Sequence, residues 1–134
     1  MMRTLGQKRA AFALQEVLHN NCNNQKEYKA FCAGAPAVIL QNGFGQALAF
    51  WYSKGKGNQT DKHQVLLDII MKWLCRQNGD VKNEFIRPCQ TTKEMITALS
   101  GMSQQEYLAA QAETLALLEW VKRYANALLK GDKK

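Results

Sequence analysis

The residue types that most often carry chemistry, histidine and cysteine, are few and widely spaced in this chain. His19 and Cys22 stand three positions apart, a spacing that can hold zinc when a second pair of ligands follows. His63 and the other cysteines do not supply that pair at the usual intervals. The same scattered residues provide no nucleophile with a base and an orienting group. The sequence therefore predicts neither a metal site nor cysteine–histidine catalysis.

Two further patterns match functional motifs only in part. Gly43-Phe44-Gly45 is rich in glycine, but it lacks the third glycine, the preceding strand and the lysine of phosphate-binding loops. It indicates a helix break or close backbone packing instead. Glu113 and Glu119 share one predicted helix without the histidines of a di-iron bundle. We expect a protein that is not an enzyme and that uses no cofactor.

Positive charge has the clearest chemical pattern. The chain has 18 Lys and Arg against 11 Asp and Glu, a net charge of +7. Such an excess suits a polyanionic partner such as RNA or DNA, although plain solvation of the surface would also account for it. The candidate nucleic-acid-binding residues fall into an N-terminal cluster (Arg3, Lys8 and Arg9), a central pair (Lys54 and Lys56) and a C-terminal group (Lys122, Arg123 and Lys130).

Local helix energetics explain these three groups unequally. The C-terminal group lies near the end of the last predicted helix, where the helix dipole stabilises cations by roughly 0.3–1 kcal/mol each. The N-terminal cluster lies near a helix start, where the dipole gives cations no help. The central pair lies among glycines, which allow close approach of the backbone to phosphate, although a plain mobile connector would have the same composition. Local helix energetics therefore do not explain the charge of the N-terminal cluster, which favours its contact with a polyanion or another partner.

Apolar residues recur at helical spacing along most of the chain, and no sustained strand alternation is present. Three capping boxes mark helix starts: Thr4 with Gln7, Thr91 with Glu94, and Ser103 with Glu106. The sequence predicts an all-α fold, a single compact bundle of about five to six helices with a long C-terminal helix. One domain should span residues 1–134. The predicted helices cover about residues 5–19, 26–52, 61–78, 91–100 and 104–129.

Proline and glycine should interrupt these helices. Pro36 is expected to kink the second helical region or to start a new helix. Gly43 and its neighbours form a second weak point, where a turn divides two helices or the glycines permit close packing. Residues 53–58 are predicted to be a flexible basic loop, and Gly79 is the expected helix stop. Residues 80–90 should be irregular, with no hairpin.

The four cysteines, Cys22, Cys32, Cys75 and Cys89, form no C-x-x-C pair. The first residues contain no apolar core long enough for a secretory signal, so free thiols in a reducing cytosol are expected. No run approaches the roughly 20 apolar residues that cross a bilayer. The sequence thus predicts a soluble, cytoplasmic protein without membrane contact.

Three segments taken together resemble a known family. They are residues 7–17 (QKRAAFALQEV), residues 42–50 (NGFGQALAF) and residues 107–125, which end in LLEWVKRYA. Their order and spacing resemble the small subunit of the type III-B CRISPR effector, the Cmr complex, over nearly the whole chain. No single motif is catalytic, and their joint occurrence is more specific than any one piece. The asparagine-rich residues 20–24 and the four cysteines depart from the family pattern.

The resemblance implies a non-catalytic, all-helical subunit. In that family, several small subunits line up beside the backbone subunits that hold the guide RNA, contact the large subunit and help form the groove for the guide–target duplex. The basic residues would neutralise phosphates while base pairing reads the sequence. Arg9, Lys122 and Arg123 fall inside the matching segments, and the other five candidates depend on charge and position alone.

The expected partners are the backbone and large subunits, further copies of the chain and guide–target RNA. The alternative interpretation is a helical DNA-binding regulator or a generic protein-interaction module.

Overall fold

The structure, a computed structural model, describes residues 4–75, 77–78, 81–82, 86 and 89–129. Six α-helices dominate this part of the chain, so the predicted all-α fold with a long last helix is confirmed. In chain order the elements are α1 (Leu5–Leu18), α2 (Gln25–Asn42), α3 (Phe44–Gly55), α4 (Lys62–Leu74), β1 (Gln77–Asn78), β2 (Val81–Lys82), α5 (Thr92–Ser100) and α6 (Gln104–Leu128).

The three predicted capping boxes are all formed. In each, the N-cap hydroxyl accepts the backbone N–H three residues on, and the side chain of that residue accepts the N-cap N–H. These bonds satisfy donors that a helix start otherwise leaves unpaired, which fixes where α1, α5 and α6 begin. The N-caps are Thr4, Thr91 and Ser103.

One hydrophobic core receives side chains from all six helices. Helices α1 and α2 pack along α6, and α3 packs against α2, α4 and α5. The largest fully buried side chains include Tyr28, Trp51 and Trp73. Because α1 and α2 pack along α6, one long face of that helix is buried. Glu113 lies on this buried face, and the other charged residues of α6 lie outside it.

The sequence predicts a kink or a new helix at Pro36, and no new helix starts there. Helix α2 runs without a break from Gln25 to Asn42 with Pro36 inside it. Proline removes one intrahelical hydrogen bond and crowds the carbonyl four residues earlier. Here both Ala35 and Pro36 are buried in the core, and tertiary packing supplies most of the stability of such a helix.

The end of α4 also differs from the prediction. The helix ends at Leu74, earlier than the expected residue 78, and the predicted stop, Gly79, lies outside the described residues. A short antiparallel pair follows, with Gln77 opposite Lys82 and Asn78 opposite Val81, although the sequence predicts no hairpin. Two residues per strand are too few for the alternating pattern that identifies a strand in sequence.

None of the four cysteines is paired in a disulfide. Cys22, Cys32 and Cys75 are buried, whereas Cys89 is partly exposed. Burial raises the pKa of the Cys32 thiol to about 12. The thiolate is the reactive form, so Cys32 stays protonated and inert at neutral pH.

We therefore expect a thiol-exchange reagent at pH 8 to modify Cys89 first and Cys32 only after denaturation. Mass spectrometry of peptides from briefly treated protein measures the order. Equal labelling of Cys32 and Cys89 in the native protein would contradict the prediction, and full labelling of both in denaturant is the control.

Candidate nucleic-acid interface

Arg9, one of the predicted RNA contacts, is bound to a buried carboxylate. Its Nε donates to Glu113 Oε2 at 2.7 Å, and its Nη2 donates to Glu113 Oε1 at 2.8 Å. Trp73 Nε1 donates to Oε2 of the same carboxylate at 2.7 Å. Glu113 is only 5% exposed and Arg9 is 21% exposed. The hydrogen bonds with Glu113 also raise the pKa of Arg9.

This cluster joins three helices, because Arg9 lies on α1, Trp73 on α4 and Glu113 on α6. A guanidinium in a two-bond pair with a carboxylate has two of its five N–H donors occupied and its positive charge paired. The first role of Arg9 is therefore to neutralise Glu113, and its contact with RNA stays a prediction.

The sequence did contain a sign of this cluster. Glu113 lies between Ala110 and Leu117 on the buried face of α6, at the helical spacing of the core residues. An acidic residue in an apolar pattern needs a buried counter-charge. The identity of the partner, 104 residues away, could not be read from local spacing.

Lys122 and Arg123 lie on the outer side of α6, next to the buried Val121 and Ala125. Arg123 is exposed and Lys122 is half-buried. Neither forms an ion pair with any residue that the structure describes. These two cations are thus available to an external anion. With a rise of 1.5 Å per residue, they lie about 14 Å along α6 from Glu113.

The central pair is more ordered than predicted. Lys54 belongs to the last turn of α3, and Lys56 caps that helix in the left-handed conformation with φ of 50°. Gly55 between them is buried, because the backbone of α4 at Gln64 lies within 3.1 Å of the position that a Cβ would take. The predicted flexible loop over residues 53–58 is therefore partly helix, held by a close helix–helix contact. Both lysines are exposed.

The remaining candidates are less defined. Lys8 is half-buried on α1 beside Arg9, and it has an interaction partner. Arg3 and Lys130 lie outside the described residues. The packing of α1 along α6 brings the helices of the N-terminal cluster and the C-terminal group together.

Gly43-Phe44-Gly45 forms a joint between two helices, as the sequence indicates. Gly43 ends α2 and caps α3, with φ of 93° and ψ of 150°. The Gly45 N–H donates to the hydroxyl of Tyr107 on α6 at 2.5 Å. Phe44 is fully buried, with its ring edge-on to that of Tyr107. The glycines thus serve the break between two helices and close packing.

Other kinds of site find little support in the described part of the chain. No three histidine, cysteine, aspartate or glutamate side chains there are grouped so that they could hold a metal ion. Among the described helices, none combines the length and the apolar character needed to cross a membrane.

A family model described as "CRISPR-associated protein (Cas_Cmr5)" matches residues 5–128. A relative from Thermus thermophilus, named CRISPR system Cmr subunit Cmr5, is 29% identical over 129 residues, covering 96% of this chain and 98% of the relative. One of the same name from Thermotoga maritima is 26% identical over 137 residues, covering 98% and 89%.

A crystal structure of a CRISPR-associated Cmr5 family protein from Thermus thermophilus has the same fold. It matches with a TM-score of 0.74 at 26% identity, covering 96% of this chain and 100% of that one. Since the family model spans nearly the whole chain, the protein belongs to the Cmr5 family of CRISPR-associated proteins.

Proposed function

We propose that this protein is a non-catalytic small subunit of a cytoplasmic type III-B CRISPR effector complex. It packs beside the backbone and large subunits and further copies of itself, and its cations line the groove that receives the guide–target RNA. The names of the relatives, Cmr subunits of CRISPR systems, support membership of such a complex.

The observation that carries the RNA-groove proposal is the unpaired state of Lys122 and Arg123 within the described structure. A long helix whose buried face is held by two other helices presents these cations at a fixed place. Phosphate contacts of this kind position a nucleic acid without reading its bases. That suits a subunit in a complex whose sequence specificity comes from base pairing.

Exposed leucine side chains support the protein contacts of the same proposal. Leu40 on α2 is 69% exposed, and Leu108 on α6 is 51% exposed. Covering such side chains with a partner stabilises the complex by roughly 25 cal/mol per Å² of apolar surface removed from water. The other exposed leucines of the described surface are Leu5, Leu18 and Leu128.

Charge reversal at Lys122 and Arg123 tests the groove. We expect the double variant Lys122→Glu with Arg123→Glu to bind a guide–target RNA duplex more weakly, because two phosphate contacts are lost. The slope of log affinity against log salt concentration should fall by roughly 1.5–2. Fluorescence anisotropy across a salt series measures both quantities, and target cleavage by the reconstituted complex gives a second readout.

The matched control reverses Lys29 on α2 and Lys93 on α5, which gives the same net charge. This control should keep the native salt slope. An equal loss in both double variants would show an effect of net charge alone and would contradict the assignment of Lys122 and Arg123. Circular dichroism of each variant checks that its helices are kept.

A further inference from the structure

Phe50 is an aromatic ring placed on the outside of α3. Its side chain is 54% exposed, while Leu48 and Trp51 beside it in the sequence are buried. Phenylalanine is a residue type that proteins often bury. A ring that is more than half exposed removes less apolar area from water and so stabilises the fold less than a core ring does. The ring stands there at the surface of a helix that packs on three others.

A cation accompanies the ring. Lys54, one helical turn further on, holds its Nζ 5.4 Å from the centre of the Phe50 ring, within the range of a cation–π contact. Lys56 follows at the helix cap, also exposed. Neither lysine has an ion-pair partner among the described residues. One exposed aromatic ring and two unneutralised ammonium groups therefore share the outer end of α3.

Acidic residues are absent from the sequence around this surface. Residues 28–60 contain no Asp or Glu, while they include Lys54 and Lys56. The two acids that flank this stretch are already engaged, since Glu27 pairs with Lys62, and Asp61 caps α4 and binds His63. The local charge thus favours a partner that is anionic, and the ring favours one that also has a flat unsaturated part.

A single-stranded nucleic acid combines these two properties. Its phosphates attract lysine, and its unpaired bases stack on aromatic side chains. A free inorganic anion has no flat unsaturated part that could stack on the Phe50 ring. A base pair inside a duplex is already stacked on both faces and cannot receive it.

We propose that the outer end of α3 is a binding platform for unpaired RNA, on which Phe50 stacks a base while Lys54 and Lys56 contact the adjacent phosphates. This proposal deepens the proposed RNA-groove function and depends on it for the presence of RNA. It differs from that function in its ligand, an unpaired nucleotide in place of a paired one. It also assigns Phe50 a stacking role, which a contact between lysine and phosphate alone would not require.

Binding of the full chain to short oligouridine at low salt tests the platform. The variant Phe50→Leu keeps the apolar character and removes the ring, so we expect about tenfold weaker binding with an unchanged salt slope. Phe50→Trp should bind at least as tightly as the native chain, and its added fluorescence should be quenched by the RNA. The variant Lys54→Gln with Lys56→Gln should lower the salt slope.

Two controls distinguish the platform from a general effect of exposed apolar residues and from the duplex-binding groove. Leu40→Ala changes another exposed apolar residue and should leave oligouridine binding unchanged. The Phe50→Leu variant should keep native affinity for the guide–target duplex, and the Lys122→Glu/Arg123→Glu variant should lose duplex affinity.

Native oligouridine affinity in Phe50→Leu would overturn the platform, and so would failure of the native chain to bind oligouridine at all. The same is true if Phe50→Leu disturbs only assembly with protein partners, because Phe50 is then a protein contact. If Lys122→Glu/Arg123→Glu loses affinity for the duplex while Phe50→Leu changes no RNA affinity, the groove proposal is supported and the platform is rejected.

Discussion

Replacing Arg9 by methionine is expected to lower the free energy of unfolding by about 3 kcal/mol. The change leaves the carboxylate of Glu113, which is 5% exposed, without its counter-charge. Removing one partner of a buried ion pair is costly because the other charge stays in an environment of low polarity. The remaining hydrogen bond from Trp73 compensates only part of this loss.

A double-mutant cycle identifies the cause. Glu113→Leu should also destabilise the protein, whereas Arg9→Met combined with Glu113→Leu should be clearly more stable than the sum of the two losses implies. Urea denaturation followed by circular dichroism gives each free energy of unfolding. Simple additivity of the two changes would contradict a direct pairing in solution.

The same variants separate the two roles considered for Arg9. Where Arg9→Met is still folded, its affinity for the guide–target duplex should be close to native if Arg9 acts through Glu113. A drop with a lower salt slope, as expected for Lys122→Glu/Arg123→Glu, would assign a phosphate contact to Arg9 as well.

Replacing Gly43 by alanine is expected to cost about 2 kcal/mol. Its backbone, with φ of 93° and ψ of 150°, occupies a region that is nearly exclusive to glycine. Space is not the obstacle, because no atom lies within 4 Å of the position of an added Cβ. The cost comes from backbone strain at the joint of α2 and α3, and thermal or urea unfolding measures it.

Gly34 provides a matched control of opposite sign. It lies inside α2 with ordinary helical backbone, and nothing lies within 4 Å of an added Cβ. Gly34→Ala should therefore stabilise the protein by roughly 0.5–1 kcal/mol, since alanine loses less backbone entropy in a helix. Equal effects of the two substitutions would rule out the backbone conformation of Gly43 as the cause.

Features that depend on neighbours in the sequence were predictable. The capping boxes at Thr4, Thr91 and Ser103 depend on residues three positions apart, and all are formed. The glycine joint at Gly43 depends on one backbone angle and was also predicted. The six helices and the long α6 follow from such local rules together with apolar periodicity.

Two of the differences from the sequence prediction concern packing between helices. Pro36 was expected to kink the second helical region or to start a new helix, but no new helix starts there, because α2 continues through this buried proline. Lys54 and Lys56 were expected in a mobile loop, yet Gly55 packs against α4 and holds that end of α3. Both outcomes depend on a contact with another helix, which local propensity does not contain.

The candidate site also contains features that local sequence predicts and features that depend on tertiary packing. Lys122 and Arg123 were predictable because the polar face of α6 follows from its periodicity. The partner of Arg9 was not predictable, because a buried ion pair across 104 residues is set by tertiary structure. The exposure of Phe50 has the same origin, since its spacing alone resembles that of a core residue.

The link between Arg9 and Glu113 also constrains the order of events during synthesis. Translation adds roughly 5–20 residues per second, so Arg9 is synthesised roughly 5–20 seconds before Glu113. Throughout that interval the apolar face of α1 has no α6 to pack on. Stable docking of α1 therefore waits for the synthesis of α6, and a nascent chain halted before α6 keeps α1 open to chaperones and proteases.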